Sequence, residues 1–134
     1  MRKRVGIWLD RNKAVIVSIA EGITGRAIIT SDMEHYALYS KIVPGDGAPE
    51  DPRDRRFWNR LGEYYDKIIA NIRDAAEIQI FGPEEAKHEL QKYLQAAGLA
   101  EYIVSVEDAG KMTDLQITAK VEKRFPSRSH FDIF

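Results

Sequence analysis

Ile78-Gln79-Ile80-Phe81-Gly82-Pro83-Glu84-Glu85-Ala86-Lys87 is the stretch on which the fold turns. Its first four residues are apolar, rich in β-formers and too few for a helix, so they read as a buried strand. Gly82-Pro83 ends that strand. Pro83 is expected at the first position of a helix, where its missing N–H has no partner to lose. Ala86, Leu90, Tyr93, Leu94 and Ala97 then recur on one face, and Gly98 is a natural stop. A strand, a helix and a further strand, Tyr102-Ile103-Val104-Ser105-Val106, make a right-handed crossover and hence a parallel pair.

Upstream, Phe57, Leu61, Tyr64, Tyr65, Ile68 and Ile72 are spaced by three and four along a longer helix. Asp51 or Asp54 can cap it, with Pro52 in its first turn. The strand at Val5-Gly6-Ile7-Trp8-Leu9 ends in the turn cluster Asp10-Arg11-Asn12-Lys13, and Ala14 to Ile19 returns as a second strand of a hairpin. After the turn at Glu21-Gly22, a third strand is expected from Thr24 to Ser31. Tyr36 to Val43 can extend or repeat strand structure. From Pro44 to Pro52, three Pro and two Gly fall in nine residues, which predicts a mobile, irregular loop over about 44–54. Downstream, Thr113 or Asp114 caps a last helix bearing Ile117, Val121 and Phe125, and Pro126 ends it. A short tail, 126–134, carries Phe131, Ile133 and Phe134.

The order βββαβαβα places the chain in the α/β class. It predicts one domain over 1–134, with a mixed five-stranded sheet in the order 3-2-1-4-5 flanked by helices, the ribonuclease H-like arrangement.

Composition narrows the chemistry. The 134 residues carry 20 Lys and Arg against 21 Asp and Glu, a net charge of −1, so any polyanion must meet a local patch. The absence of Cys removes disulfides, thiol nucleophiles, iron–sulfur clusters and Cys-type zinc sites. His35, His88 and His130 share no metal-ligand spacing and stand beside no triad pattern, so no metal and no cofactor are expected. Met1-Arg2-Lys3-Arg4 has the charge of a signal peptide, but Val5 to Leu9 is shorter than the apolar stretch of about 7–15 residues that one needs. No apolar run reaches the roughly 18 residues of a membrane span. A cytoplasmic protein without a membrane partner is expected.

The residues also carry a resemblance. The hairpin strand Val5-Gly6-Ile7-Trp8-Leu9-Asp10, the Arg56-Phe57 start of the long helix, and the strand-Gly-Pro-x-x-x-Lys segment Ile80 to Lys87 come in an order similar to the middle domain of eukaryotic and archaeal class-1 translation release factors. The chain resembles equally the Pelota-type ribosome-rescue factors, and is placed among bacterial translational-machinery-like paralogues of that domain. The resemblance implies a ribonuclease H-like fold and a ribosome or RNA partner. One departure stands out. The release-factor loop before the long helix carries Gly-Gly-Gln. Here it reads Pro44-Gly45-Asp46-Gly47-Ala48-Pro49-Glu50-Asp51, without that tripeptide and with three acids. Pelota-type factors also lack it and are not hydrolases, so the resemblance does not imply peptidyl-tRNA hydrolysis.

Three groups of residues are candidates for function. Arg53, Arg55, Arg56 and Arg60 stand with Trp58 at the start of the long helix, combining guanidinium groups and a ring as RNA-binding surfaces do. Their structural alternative is a solvated helix start. Smaller basic groups lie at Arg2-Lys3-Arg4 and at Lys120, Lys123, Arg124 and Arg128. Asp10, Gly82, Pro83 and Lys87 fall at the expected topological switch point, where a helix N-terminus assisted by Lys87 can hold an anion. The alternative there is a tight structural turn in which acids complement the helix dipole. Asp10 with Glu63 or Asp66 and Asp114 would be the carboxylates of a metal-dependent nuclease, although the fourth strand ends in Phe81-Gly82 and offers no acid. The expectation is a non-enzymatic, translation-associated binding module contacting the ribosome, RNA or a translation factor. The alternatives are that nuclease, or a self-associating structural module using Trp58 and the apolar tail.

Overall fold

The computed structural model describes residues 3–32 and 52–126. The expected strand structure at Tyr36 to Val43, the acidic loop up to Asp51, and the tail beyond Pro126 lie outside the described residues.

Strand β1 (Lys3–Leu9) runs antiparallel to β2 (Lys13–Ala20), with pairs from Arg4–Ile19 to Leu9–Ala14. Strand β3 (Ile23–Thr30) continues the antiparallel half in unbroken register, from Lys13–Thr30 to Ala20–Ile23. Strands β4 (Ala75–Gly82) and β5 (Ile103–Asp108) lie parallel to β1 and to each other. The sheet order is β3-β2-β1-β4-β5, as the alternation of elements predicts.

Side chains alternate across the sheet. Val5, Ile7, Leu9, Ile78 and Ile80 point to one face and pack on α1 (Pro52–Ile72) and α2 (Ala86–Ala96). The predicted stripe of α1 is the core stripe: Leu61, Tyr64, Tyr65, Ile68 and Ile72 are buried, Phe57 is half-buried, and Ile69 joins them. Trp8, Val15, Val17 and Phe81 point to the other face, where α3 (Asp114–Arg124) lays Ile117 and Val121. Gly6 lets α3 approach, because a Cβ there would lie 2.2 Å from a methyl of Val121.

The helix ends follow local chemistry. Thr113, rather than Asp114, caps α3. Its hydroxyl accepts from Gln116 N while the Gln116 side chain accepts from Thr113 N, a reciprocal capping box. Gly98 (φ +79°) terminates α2 in a Schellman arrangement, with Leu99 N donating to Leu94 O and Gly98 N to Gln95 O. Three expectations are corrected. The loop expected over about 44–54 gives way to α1 already at Pro52, the first-turn position expected for that proline, so Asp54 lies inside the helix and does not cap it. Pro83 does not open a helix: Glu84 sits at φ +56°, which breaks the helical path, and α2 begins only at Ala86. Tyr102 closes a 3-10 turn, Ala100–Tyr102, before β5 starts.

Candidate functional site

The turn between β1 and β2 is built by Asp10. One carboxylate oxygen accepts from Asn12 N (2.7 Å) and Lys13 N (2.8 Å), and Asp10 N donates to Lys13 O (3.0 Å). This is aspartate turn chemistry. It sets the next side chain, Arg11, toward the space where β4 hands over to α2.

A cleft of about 380 Å³ opens there, lined by Asp10, Arg11, Pro83, Glu84, Glu85 and Ala86. It lies beyond the carboxyl ends of β1 and β4, where the chain leaves the two neighbouring strands in different directions, the switch point expected from the topology. Gly82 makes the bend possible, since a Cβ at this position would come within 2.2 Å of Leu9 O.

Lys87 does not reach into the cleft. It is only 3% exposed, its ammonium donates to Glu84 O, and it pairs with Asp108 at 2.8 Å. The Asp108 carboxyl is held below its ordinary range by that contact. Lys87 therefore ties the bend at 83–85 to the end of β5, and Ala109 N donating to Gly82 O (3.0 Å) reinforces the tie. With three carboxylates against one guanidinium, the lining repels an anion, and the structural reading of this turn is the one its geometry fits.

Arg11 links the cleft to the arginine-bearing end of α1. Its guanidinium lies 5.3 Å from the centroid of the Trp58 ring. It also holds Glu89 of α2 through both carboxylate oxygens, Nε at 3.2 Å and Nη2 closer. This partner raises the Arg11 pKa above its ordinary value. The buried Tyr65 hydroxyl donates to the same carboxylate at 2.5 Å, and burial, then Glu89, push its pKa upward. Tyr64 donates to Asp10 O at 2.8 Å, and burial followed by the Asp10 charge raises it too. Two candidate groups from the sequence, Trp58 and the switch-point turn, thus share one neighbourhood. The spacing of Tyr65 marks it only as a core residue of α1, and nothing in local spacing connects residue 11 with residue 89. A cation directly after the strand-ending aspartate was the available signal.

On α1, Arg55 and Arg56 are exposed and Arg60 is half-buried; Arg53 belongs to the first turn. Phe57 and Trp58 are half-buried and stack edge to face at 4.9 Å, so Trp58 is partly committed to packing. The nuclease carboxylates do not come together. Asp10 is engaged in its turn, Glu63 and Asp66 are exposed on α1, and Asp114 starts α3 across the sheet. Among the described residues no three acid or His side chains converge as metal ligands. His88 is exposed, and His35 and His130 lie outside the described residues. No described helix is long and apolar enough to cross a membrane.

Neither a protein-family model nor a curated protein sequence matches the chain. Solved structures do. The Pelota protein of Thermoplasma acidophilum superposes with a TM-score of 0.60 at 14% identity, over 96% of this chain. An archaeal translation termination factor, aRF1, gives 0.56 at 16% identity over 97%. The chain has the fold of a Pelota and aRF1 domain. Pelota of Archaeoglobus fulgidus agrees, at 0.57 and 12% identity over 99%. The chain spans only 34–37% of the length of these three proteins. Identities this low carry the fold and leave the chemistry to the residues.

Proposed function

We propose that this chain is a translation-associated binding module that contacts the ribosome or its RNA through the start of α1. The observation that carries the reading is the pair Arg55 and Arg56, exposed in the first turns of α1 beside Trp58. Cations at a helix N-terminus oppose the macrodipole, so they weaken the helix they sit on. Among the described residues neither forms a salt bridge with a carboxylate that would offset that. A phosphate backbone would. The fold shared with Pelota and aRF1 supports translation as the setting. Arg53, Arg55, Arg56 and Arg60 are assigned phosphate contacts, with Trp58 offering a ring edge to a base or a partner. The role is binding without hydrolysis, because Gly-Gly-Gln is missing between Val43 and Arg53.

Cosedimentation with ribosomes at several salt concentrations tests this. Replacing Arg55, Arg56 and Arg60 together with Ala should flatten the log–log salt slope by about two units, at about 0.7 per lost contact. An unchanged slope in a folded triple variant removes this surface. Release of labelled peptide from programmed ribosomes above the spontaneous rate would refute the non-hydrolytic role.

A further inference from the structure

Arg11 stands in a hairpin turn, where an arginine is ordinarily solvated and free to change rotamer. Here it is fixed at both ends. Its carbonyl oxygen accepts from the Ser31 hydroxyl at 2.6 Å, and the carbonyl before it, that of Asp10, accepts from the Tyr64 hydroxyl at 2.8 Å. Its guanidinium is held by both carboxylate oxygens of Glu89, and Glu89 in turn accepts from the Tyr65 hydroxyl. Ser31, Tyr64 and Tyr65 are at most 3% exposed. Three buried hydroxyls, two from α1 and one that follows β3, thus direct their hydrogen bonds to the placement of one side chain. The guanidinium they place lies 5.3 Å from the centroid of the Trp58 ring.

The ring held in this way is not a core ring. Trp8 is buried and donates to Gly110 O, whereas Trp58 is half-buried. Phe57 meets Trp58 edge to face, and Arg11 supports it from the hairpin. Contacts of this kind remove rotamer freedom before any ligand arrives, which preorganises an aromatic stacking platform. Arg55 is exposed and lies three residues before Trp58. That spacing sets two side chains on one helix face, with Cβ atoms about 5–6 Å apart. A guanidinium for a phosphate and a ring for a base then stand within the span of one nucleotide.

We infer that the α1 surface takes single-stranded RNA, with a base stacked on Trp58, and that Arg11 is the positioning residue that holds the ring for it. The inference rests on the proposed contact of α1 with RNA and names the form of RNA that fits. In a duplex the base faces are covered by their neighbours, so the ring gains nothing and the arginines alone make contact. An unpaired base offers a free face, and stacking on an aromatic ring is tolerant of sequence. Arg11 itself is a poor phosphate ligand, because Glu89 neutralises it. Its part is geometric and acts through Trp58.

Fluorescence anisotropy with a short unstructured RNA, and with the same RNA paired to its complement, tests this. Trp58→Ala should weaken single-strand binding by about tenfold, and Arg11→Ala by about threefold or more, with duplex binding unchanged. The double variant should bind no more weakly than Trp58→Ala, since Arg11 acts through the ring. Trp58→Phe keeps a ring and should restore part of the loss. In each variant the log–log salt slope should match the parent, because no phosphate contact is removed. Acrylamide quenching of the half-buried Trp58 should rise in Arg11→Ala and fall when the parent binds the single strand. Arg11→Ala that weakens single strand and duplex alike, with a slope lower by about 0.7, would make Arg11 a phosphate contact and overturn the inference. So would a folded Trp58→Ala variant that binds the single strand as the parent does. A parent that binds neither RNA removes the α1 reading as well. An unchanged slope in the Arg55, Arg56 and Arg60 triple variant, with the loss in Trp58→Ala intact, removes the phosphate assignment alone.

Discussion

Glu89 serves two donors from two elements, and that makes its removal asymmetric with removal of Arg11. Truncating Glu89 leaves the buried Tyr65 hydroxyl without its acceptor and Arg11 without its partner. Glu89→Ala should cost about 2 kcal/mol, within the range for stranding buried polar groups. Arg11→Ala leaves the Tyr65–Glu89 bond in place and loses a partly exposed pair, for about 1 kcal/mol. Urea unfolding of the two variants should rank them in that order. Gly6 makes a sharper case. Its hypothetical Cβ meets Val121 and no other residue within the nearest contacts, so Gly6→Ala should cost about 1–3 kcal/mol through overpacking. In a Val121→Ala background the same substitution should be much cheaper. A double-mutant cycle reads that coupling directly.

Each helix is held by a different terminal device, and the devices can be removed singly. The Thr113 hydroxyl satisfies the Gln116 N–H at the start of α3. Thr113→Ala should lower stability by about 1 kcal/mol, as cap removals do, without changing the denaturant m-value. The start of α2 has no such side chain, since Glu85 precedes it without a cap bond. Lys87 takes over by anchoring the preceding bend to β5, which explains a buried lysine one residue into a helix. At α1 the first turns carry arginines where the dipole favours acids. This local cost is what a bound polyanion would reverse, and it separates that end of the helix from its buried stripe.

Over the whole molecule the titratable groups limit stability from both sides of neutral pH. Lys3 lowers the pKa of Asp74, Lys120 that of Glu107, and Lys87 that of Asp108. Carboxylates depressed in the folded state add stability that is present above their unfolded value and lost as the pH falls through the folded one. The acid decline should therefore begin near the ordinary carboxylate range, about pH 4, and continue below it. Burial raises Tyr64, Tyr65 and Tyr93. Their contribution is complete below the ordinary phenol value, about 10, and is lost as the pH rises beyond it. Thermal unfolding across pH should show both declines. In the alkaline one, part of the phenolate absorbance should appear together with unfolding, because Tyr64 and Tyr65 ionise only when released from the core.

The sequence alone determined the elements, their order and the sheet. Short runs of β-formers bounded by turn residues, the stripe from Phe57 to Ile72 and the Gly-Pro turn after Phe81 are local signals, and the right-handed crossover converts them into the order 3-2-1-4-5. It also placed the switch point at Asp10 and Gly82, because topology follows from that order. Tertiary structure decided what the side chains at that point do. Lys87 was a candidate for an anion, yet its ammonium goes to Glu84 O and Asp108, and only the packing of β5 beside β4 brings Asp108 there. Pro83 stayed outside the helix because Glu84 adopts a positive φ, which no periodicity reports. Arg11, Glu89, Tyr65 and Trp58 come from the hairpin, α2 and α1. Hydrophobic patterning specifies which face of each helix meets the sheet. The contacts among polar groups at the rims of those faces depend on how far each helix extends and how closely it sits, and those distances exist only in the folded chain.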